Sequence, residues 1–198
     1  MRAARWLLVV LLVTASACTC THKPTSQLTK ATVRATDLPP PPWKLYPAPP
    51  PSDPARICGR DAAVFGIFVP GAIEAARAAW ARDPTDGPIF GERIERYQKG
   101  MAAKWLAQTA QGLPSCEWTE AGNRWRASVE APPTVGVEGR VTLITNLDRP
   151  DSYNYEVAIR SGDILLRVAL NVRQPDRPLL DDLLERAWKR AQRAHTVA

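Results

Sequence analysis

Glu92 and Glu95, three residues apart, are the residues best spaced for acid–base chemistry. Two neighbouring carboxyls can divide the work of a hydrolase, one donating a proton while the other activates water or attacks. Arg93 and Arg96 stand among them, so a solvated charged helix face accounts for the same residues without catalysis. Asp181 and Asp182 are adjacent and fall near a predicted helix start, where the helix dipole explains them. The chain holds no G-x-S-x-G turn, P-loop or G-x-G-x-x-G phosphate cradle. His22 and His195 lie in the tails, and no C-x-x-C occurs, so four metal ligands do not assemble. The sequence therefore names no catalytic residue, no metal and no cofactor.

Four cysteines are present: Cys18, Cys20, Cys58 and Cys116. A Cys–His enzyme would need a thiolate, but in an exported chain Cys58 and Cys116 are expected to pair as a disulfide. Closing that loop would stabilise the fold by about 3–4 kcal/mol. Cys20 is left over, an idle thiol or the site of a mixed disulfide. Among the aromatics, Trp118 and Trp125 fall on a predicted hairpin and Tyr153 and Tyr155 on one face of a predicted strand. Exposed, these four would form a ligand or partner surface that stacks on sugar rings or grips a protein. Buried, they are core.

The elements that must position these residues follow from periodicity. Ile73, Ala76 and Trp80 recur at helical spacing, predicting a short helix from about Pro70 to Arg82. The segment 83–88 is a turn. Phe90, Ile94, Tyr97, Met101 and Trp105 form an apolar stripe, predicting a longer helix from Pro88 to the stop at Gly112 and Pro114. Beyond Cys116 the period becomes two. Cys116–Glu120 and Arg124–Glu130 read as a hairpin, and Arg140–Asn146 as a strand. Tyr153–Ile159 and Ile164–Val172, joined by Ser161-Gly162-Asp163, read as a second hairpin. Pro178 opens a last helix, with Leu179, Leu180, Leu183, Leu184, Ala187, Trp188 and Ala191 on its apolar stripe. Its basic end, Arg186 to Arg193, reads as a solvated face. The expected fold class is α+β: an antiparallel sheet of four to five strands against a C-terminal helix, with two helices N-terminal to the sheet.

Residues 1–17 have the layout of a bacterial secretory signal. Arg2 and Arg5 open it, Trp6–Val13 is a short apolar run, and Ala15-Ser16-Ala17 leads into Cys18. Small residues before a cysteine resemble a lipobox, in which Cys18 takes the lipid; Ala15-Ser16-Ala17 also fits the A-x-A pattern of free secretion. The expected location is the cell envelope, anchored by lipid to the outer face of the plasma membrane or to the outer membrane, with secretion as the alternative. Loss of Arg2 and Arg5 lowers the net charge from +6 to +4, a mild excess that calls for no nucleic-acid partner. Residues 18–55 carry much of the proline, in Pro39–Pro42 and Pro49–Pro51, and read as a Thr/Pro-rich disordered linker. Residues 39–54 in polyproline II would span roughly 50 Å as a stiff spacer. A single domain is expected over 56–198.

The lipobox, the Pro/Thr-rich linker, Ile57-Cys58-Gly59, Cys116-Glu117-Trp118 and the closing run from Ser161-Gly162-Asp163 to Trp188 together resemble the small two-cysteine lipoproteins common in actinobacteria, a domain family of unknown function. That resemblance implies the Cys58–Cys116 disulfide and a location, and no reaction. The expectation is a non-catalytic envelope binding or accessory module that meets the membrane through its lipid and a protein or wall component through its domain. The alternative is an envelope hydrolase with an unfamiliar acidic site at Glu92 and Glu95. A structural assembly subunit is a third reading.

Overall fold

The computed structural model describes residues 27–47, 56–58, 60–61, 71–85, 87–111, 115–136, 138–149 and 151–193. The signal segment, Cys18, Cys20 and Pro49–Pro51 lie outside them. Ten strands appear among the described residues: β1 Lys44–Leu45, β2 Arg56–Ile57, β3 Arg60–Asp61, β4 Ala72–Ala81, β5 Ile89–Tyr97, β6 Cys116–Glu120, β7 Asn123–Val129, β8 Glu138–Asn146, β9 Tyr153–Ser161 and β10 Ile164–Val172. The helices are α1 Gln27–Ala31, α2 Met101–Gln111 and α3 Arg177–Gln192, with a single 3-10 turn at Ala35–Asp37. Eight strands form one antiparallel sheet in the order β1-β4-β5-β10-β9-β8-β7-β6, and β2 pairs with β3.

The expected sheet of four to five strands with two helices before it is thus corrected. The segment 70–82 is strand β4, and the segment 88–111 divides into β5, a turn and α2. The sequence signal misled for a physical reason. β5 lies inside the sheet and is buried on both faces, so its apolar residues do not alternate with polar ones. Phe90 and Ile94 sit four apart, which satisfies a strand face and a helix stripe equally. The break falls at Gly100, whose φ of +81° suits glycine. β4 carries six alanines in ten residues, a composition that favours helix by propensity alone. Here the small side chains let α1 lie against the strand. The two C-terminal hairpins and α3 form where periodicity predicted them. Asp176 caps α3 by accepting the Leu179 N–H at 2.9 Å, with Pro178 in the first turn.

One face of the sheet packs on α3. Phe90, Ile94, Val157, Ile159, Leu166, Val168 and Leu170 meet Leu180, Leu183, Leu184 and Trp188 there. The same core contains Leu28, Ala31, Val33, Leu38 and Trp43, so over residues 27–47 the segment read as a spacer is part of the domain. It runs as a strap across β4, β5 and α3, and ends by pairing Lys44 with Ala81 and Leu45 with Trp80. Trp43 meets Phe90 edge-on at 6.5 Å and donates its Nε1–H to Pro39 O at 2.8 Å. The end of α3 read as a solvated face grips the strap instead. Arg190 donates to Lys30 O at 3.0 Å and to Thr32 O at 3.2 Å, and Arg186 donates to Asp37 O at 2.9 Å. Arg190 thereby satisfies carbonyls at and just beyond the C-terminal end of the short helix α1, and Arg186 one at the end of the 3-10 turn.

Candidate functional site

The opposite face of the sheet is covered at one end by α2, where Ala102 and Leu106 pack on Tyr97 and Leu165. At the far end Ala127 and Ile144 meet Cys58, Cys116, Trp118 and Trp125. Between these two apolar patches the face is polar. Strand register places Arg77, Arg93 and Arg167 side by side on β4, β5 and β10, with Ala158 and then Arg140 continuing the row on β9 and β8. Glu95 lies one step to one side of this row, and Glu156, beside Thr142, one step to the other.

Glu95 is fully buried. Its Oε1 is 2.7 Å from Arg93 Nε, its Oε2 accepts the Tyr97 hydroxyl at 2.9 Å, and Arg167 Nη1 lies 4.0 Å from Oε2. Burial lowers the pKa of Arg93, Glu95 pulls it back up, and the like charges of Arg167 and Arg77 lower it further. Burial, with Glu95 beside it, raises the pKa of the Tyr97 phenol and keeps it protonated. Glu156 accepts Asn154 Nδ2–H at 2.7 Å, yet burial pushes its carboxyl up to about 7, against the pull of Asn154 and Arg167. Removing charges from water is costly even when they are paired. The buried Arg–Glu–Tyr cluster, in a sheet that could have been apolar, is therefore the candidate site. It can hold an anion by guanidinium, and Glu156 can donate or accept a proton near neutrality.

The Glu92–Glu95 pair does not form a dyad. On a strand, residues three apart point to opposite faces. Glu92 is buried on the α3 face, where its Oε1 accepts the Val33 N–H; Glu95 belongs to the polar face. Burial pushes Glu92 up to about 8, while the Val33 amide and Arg190 hold it down and Asp37 adds to the rise. The acidic hydrolase site expected as the alternative is thereby overturned in that form.

The four aromatics are also divided. Trp118 and Trp125 are cross-strand partners stacked at 6.3 Å and 20°, both half-buried on the polar-face side. Tyr155 is 2% exposed and Tyr153 half-buried, both against the α3-side core, so only the tryptophans offer a surface. Cys58 and Cys116 are joined by a disulfide with Cα atoms 6.0 Å apart, tying the β2–β3 hairpin to the edge strand β6. Reducing it should cost about 3–4 kcal/mol, since it ties together residues 58 apart in the unfolded chain. Guanidinium unfolding with and without reductant checks this, and coincident midpoints would contradict it.

Sequence reasoning missed Arg77, Arg93, Arg140, Arg167 and Glu156 as a group, because their neighbourhood exists only across strands. The usable signal was charge at inward positions of strands such as Arg167 in Ile164–Val172. No protein-family profile matches the chain, and no curated protein sequence matches it. Among solved structures it is similar to the extracellular domain of PknH from Mycobacterium tuberculosis, at 10% identity and a TM-score of 0.49. That alignment covers 64% of this chain and 66% of the other, just under two thirds of its length. It is also similar to CalU16 from Micromonospora echinospora, at 14% identity and a TM-score of 0.31, covering 63% of this chain and 98% of that one. Likeness at this level transfers no residue role.

Proposed function

We propose that the chain is an exported, lipid-anchored module of the cell envelope, akin to the small two-cysteine lipoproteins, that binds a ligand or partner on the polar face of its sheet. The observation that carries this reading is the buried Arg93–Glu95–Tyr97 cluster with Arg167 beside it. Its Tyr97 belongs to the apolar patch under α2, and Arg93 and Arg167 lead from there across the polar face of the sheet. The anchor is supported by the charged, apolar and small-residue run ending at Cys18. The strap sharpens the geometry of the tether. Its first element begins at Gln27, so residues 19–26 can hold the domain at most about 30 Å from a lipidated Cys18. The domain then works close to the membrane, where a mildly basic protein is drawn to anionic surfaces.

Cys18→Ser should move the protein from the membrane fraction to the soluble exported fraction; an unchanged membrane fraction would overturn the anchor. For binding, a photo-reactive residue at Asn171, exposed on the polar face, should give a discrete adduct in intact producing cells. The same residue at Gln192 on α3 should not. Equal trapping from both positions would overturn the assignment of the face.

A further inference from the structure

We infer that the corner where α1 meets the C-terminal end of α3 is a docking surface for anionic phospholipid, so that the domain lies on the membrane with this corner down. This deepens the reading above and rests on its lipid anchor. Charge is divided unevenly along the sequence. All 20 Asp and Glu residues lie between Asp37 and Glu185. Residues 18–36 carry Lys23, Lys30 and Arg34, and residues 186–198 carry Arg186, Lys189, Arg190 and Arg193, with no acidic side chain in either segment. The segment between them is left with more acidic than basic residues. The fold then joins the two basic segments. Arg190 on α3 donates to Lys30 O and Thr32 O, which sets the last turns of α3 beside the end of α1.

Lys30, Arg34, Lys189 and Arg193 are exposed at this corner. Several of its cations are engaged within the chain: Lys189 pairs with Glu185, Arg186 with Asp182 and Arg190 with Asp37, and Arg193 too has interactions. With those three carboxylates counted against them, the cations of the corner remain in excess. Glu92 lies beneath, where burial favours its neutral form. The neighbouring pairs Arg96–Glu74 and Arg177–Asp181 add no net charge. A charged surface responds to the sum within about a Debye length, whether or not each side chain has a partner. The tether favours a membrane over any other polyanion. Residues 19–26 alone join a lipidated Cys18 to Gln27, and they include Lys23 and no acidic residue. The basic corner is therefore the part of the domain held nearest the bilayer. The strap and α3 lie on one face of the sheet and the Arg93–Glu95 pair on the other. Docking by this corner keeps the face with the candidate site off the membrane.

The test uses the mature full-length chain carrying Cys18→Ser, so that no lipid contributes. It should co-sediment with vesicles of mixed phosphatidylglycerol and phosphatidylcholine but not of phosphatidylcholine alone, and less so as salt is raised. Each cation near an anionic surface is worth about fivefold in partitioning, so Lys30→Gln combined with Arg34→Gln should weaken binding about 25-fold. Both positions are exposed, and thermal unfolding of this double variant should match that of its parent. Lys99→Gln combined with Lys104→Gln removes the same charge from exposed positions just before and within α2, on the other face of the sheet. That variant should bind nearly as the parent does. Equal loss in the two double variants, or no preference for phosphatidylglycerol, would overturn the docking surface. Binding to soluble polyphosphate with none to vesicles would give the corner to a different polyanion and overturn it as well. None of these readouts uses the lipid on Cys18. A failed anchor shows in salt-washed cell fractions of Cys18→Ser, and a failed docking surface shows in the vesicles.

Discussion

Deleting residues 1–47 should abolish cooperative unfolding of the domain. The strap places Leu28, Val33, Leu38 and Trp43 in the same core as Phe90, Ile94 and Leu180, and each large apolar side chain contributes about 1.5–3 kcal/mol by burial. Its loss also strands Arg190, whose guanidinium donates to Lys30 O and Thr32 O, and Glu92, whose carboxyl accepts the Val33 N–H. Buried polar groups left without partners cost about 1–3 kcal/mol each. Against a total stability of roughly 5–15 kcal/mol, the folded state should not survive. Circular dichroism melting and dye binding would read the outcome as a broad, non-cooperative change with exposed apolar surface. A sharp transition in the truncated chain would show that the strap is ornamental. The point-mutant form is Trp43→Ala, expected to cost about 3–5 kcal/mol, or about 10 °C in a domain of this size. Lys30→Ala, on the exposed side of α1, should change stability by no more than about 0.5 kcal/mol.

Stability should fall as pH rises from about 5 to 8, and Glu92→Gln should remove most of that fall. Burial raises Glu92 from its ordinary value of 4.5 to about 8 in the folded protein. A carboxyl with its pKa raised by folding is more easily buried neutral than charged. Its contribution is therefore complete below the unfolded value and is lost as pH climbs through the folded one. The difference between the two values corresponds to an effect of roughly 4–5 kcal/mol at the alkaline end. Glu156, pushed up to about 7, adds a smaller loss over the lower part of the same range. The Glu92→Gln side chain keeps an acceptor for the Val33 N–H without the ionisable proton, so this variant should match wild type near pH 5 and exceed it near pH 9. Denaturant unfolding at a series of pH values separates the cases. Parallel curves for the two proteins would mean that Glu92 ionises in the fold without cost.

These two outcomes bear on function together, because the strap and Glu92 lie on the α3 face while the candidate site lies on the other. β5 carries both: Glu92 points into the core under the strap, and Arg93 and Glu95 into the polar face. A substitution that loosens the strap acts on the same strand that positions the Arg93–Glu95 pair. Ligand measurements on strap variants are therefore interpretable only beside their stability curves.

What the sequence determined by itself was local. The hairpin β9–β10 was legible because each strand alternates and Gly162, with φ of +56°, turns between them. The end helix was legible from its leucine stripe and its proline, and the structure adds the Asp176 cap. Cys58 and Cys116 were legible as a pair by exclusion of the alternatives and by resemblance. The tertiary structure alone decided three things. It made strands of β4 and β5, because a segment buried on both faces of a wide sheet shows no period of two and its alanines carry helix propensity until packing overrides it. It drew residues 27–47 into the core, because a strap buried through scattered residues such as Leu28, Val33 and Trp43 has no periodicity to read. And it assembled the arginine row, because Arg77, Arg93 and Arg167 are neighbours only through strand register, with Arg140 beyond Ala158 in the same row, and the repulsion of Arg77 and Arg167 at Arg93 exists only once the strands are paired.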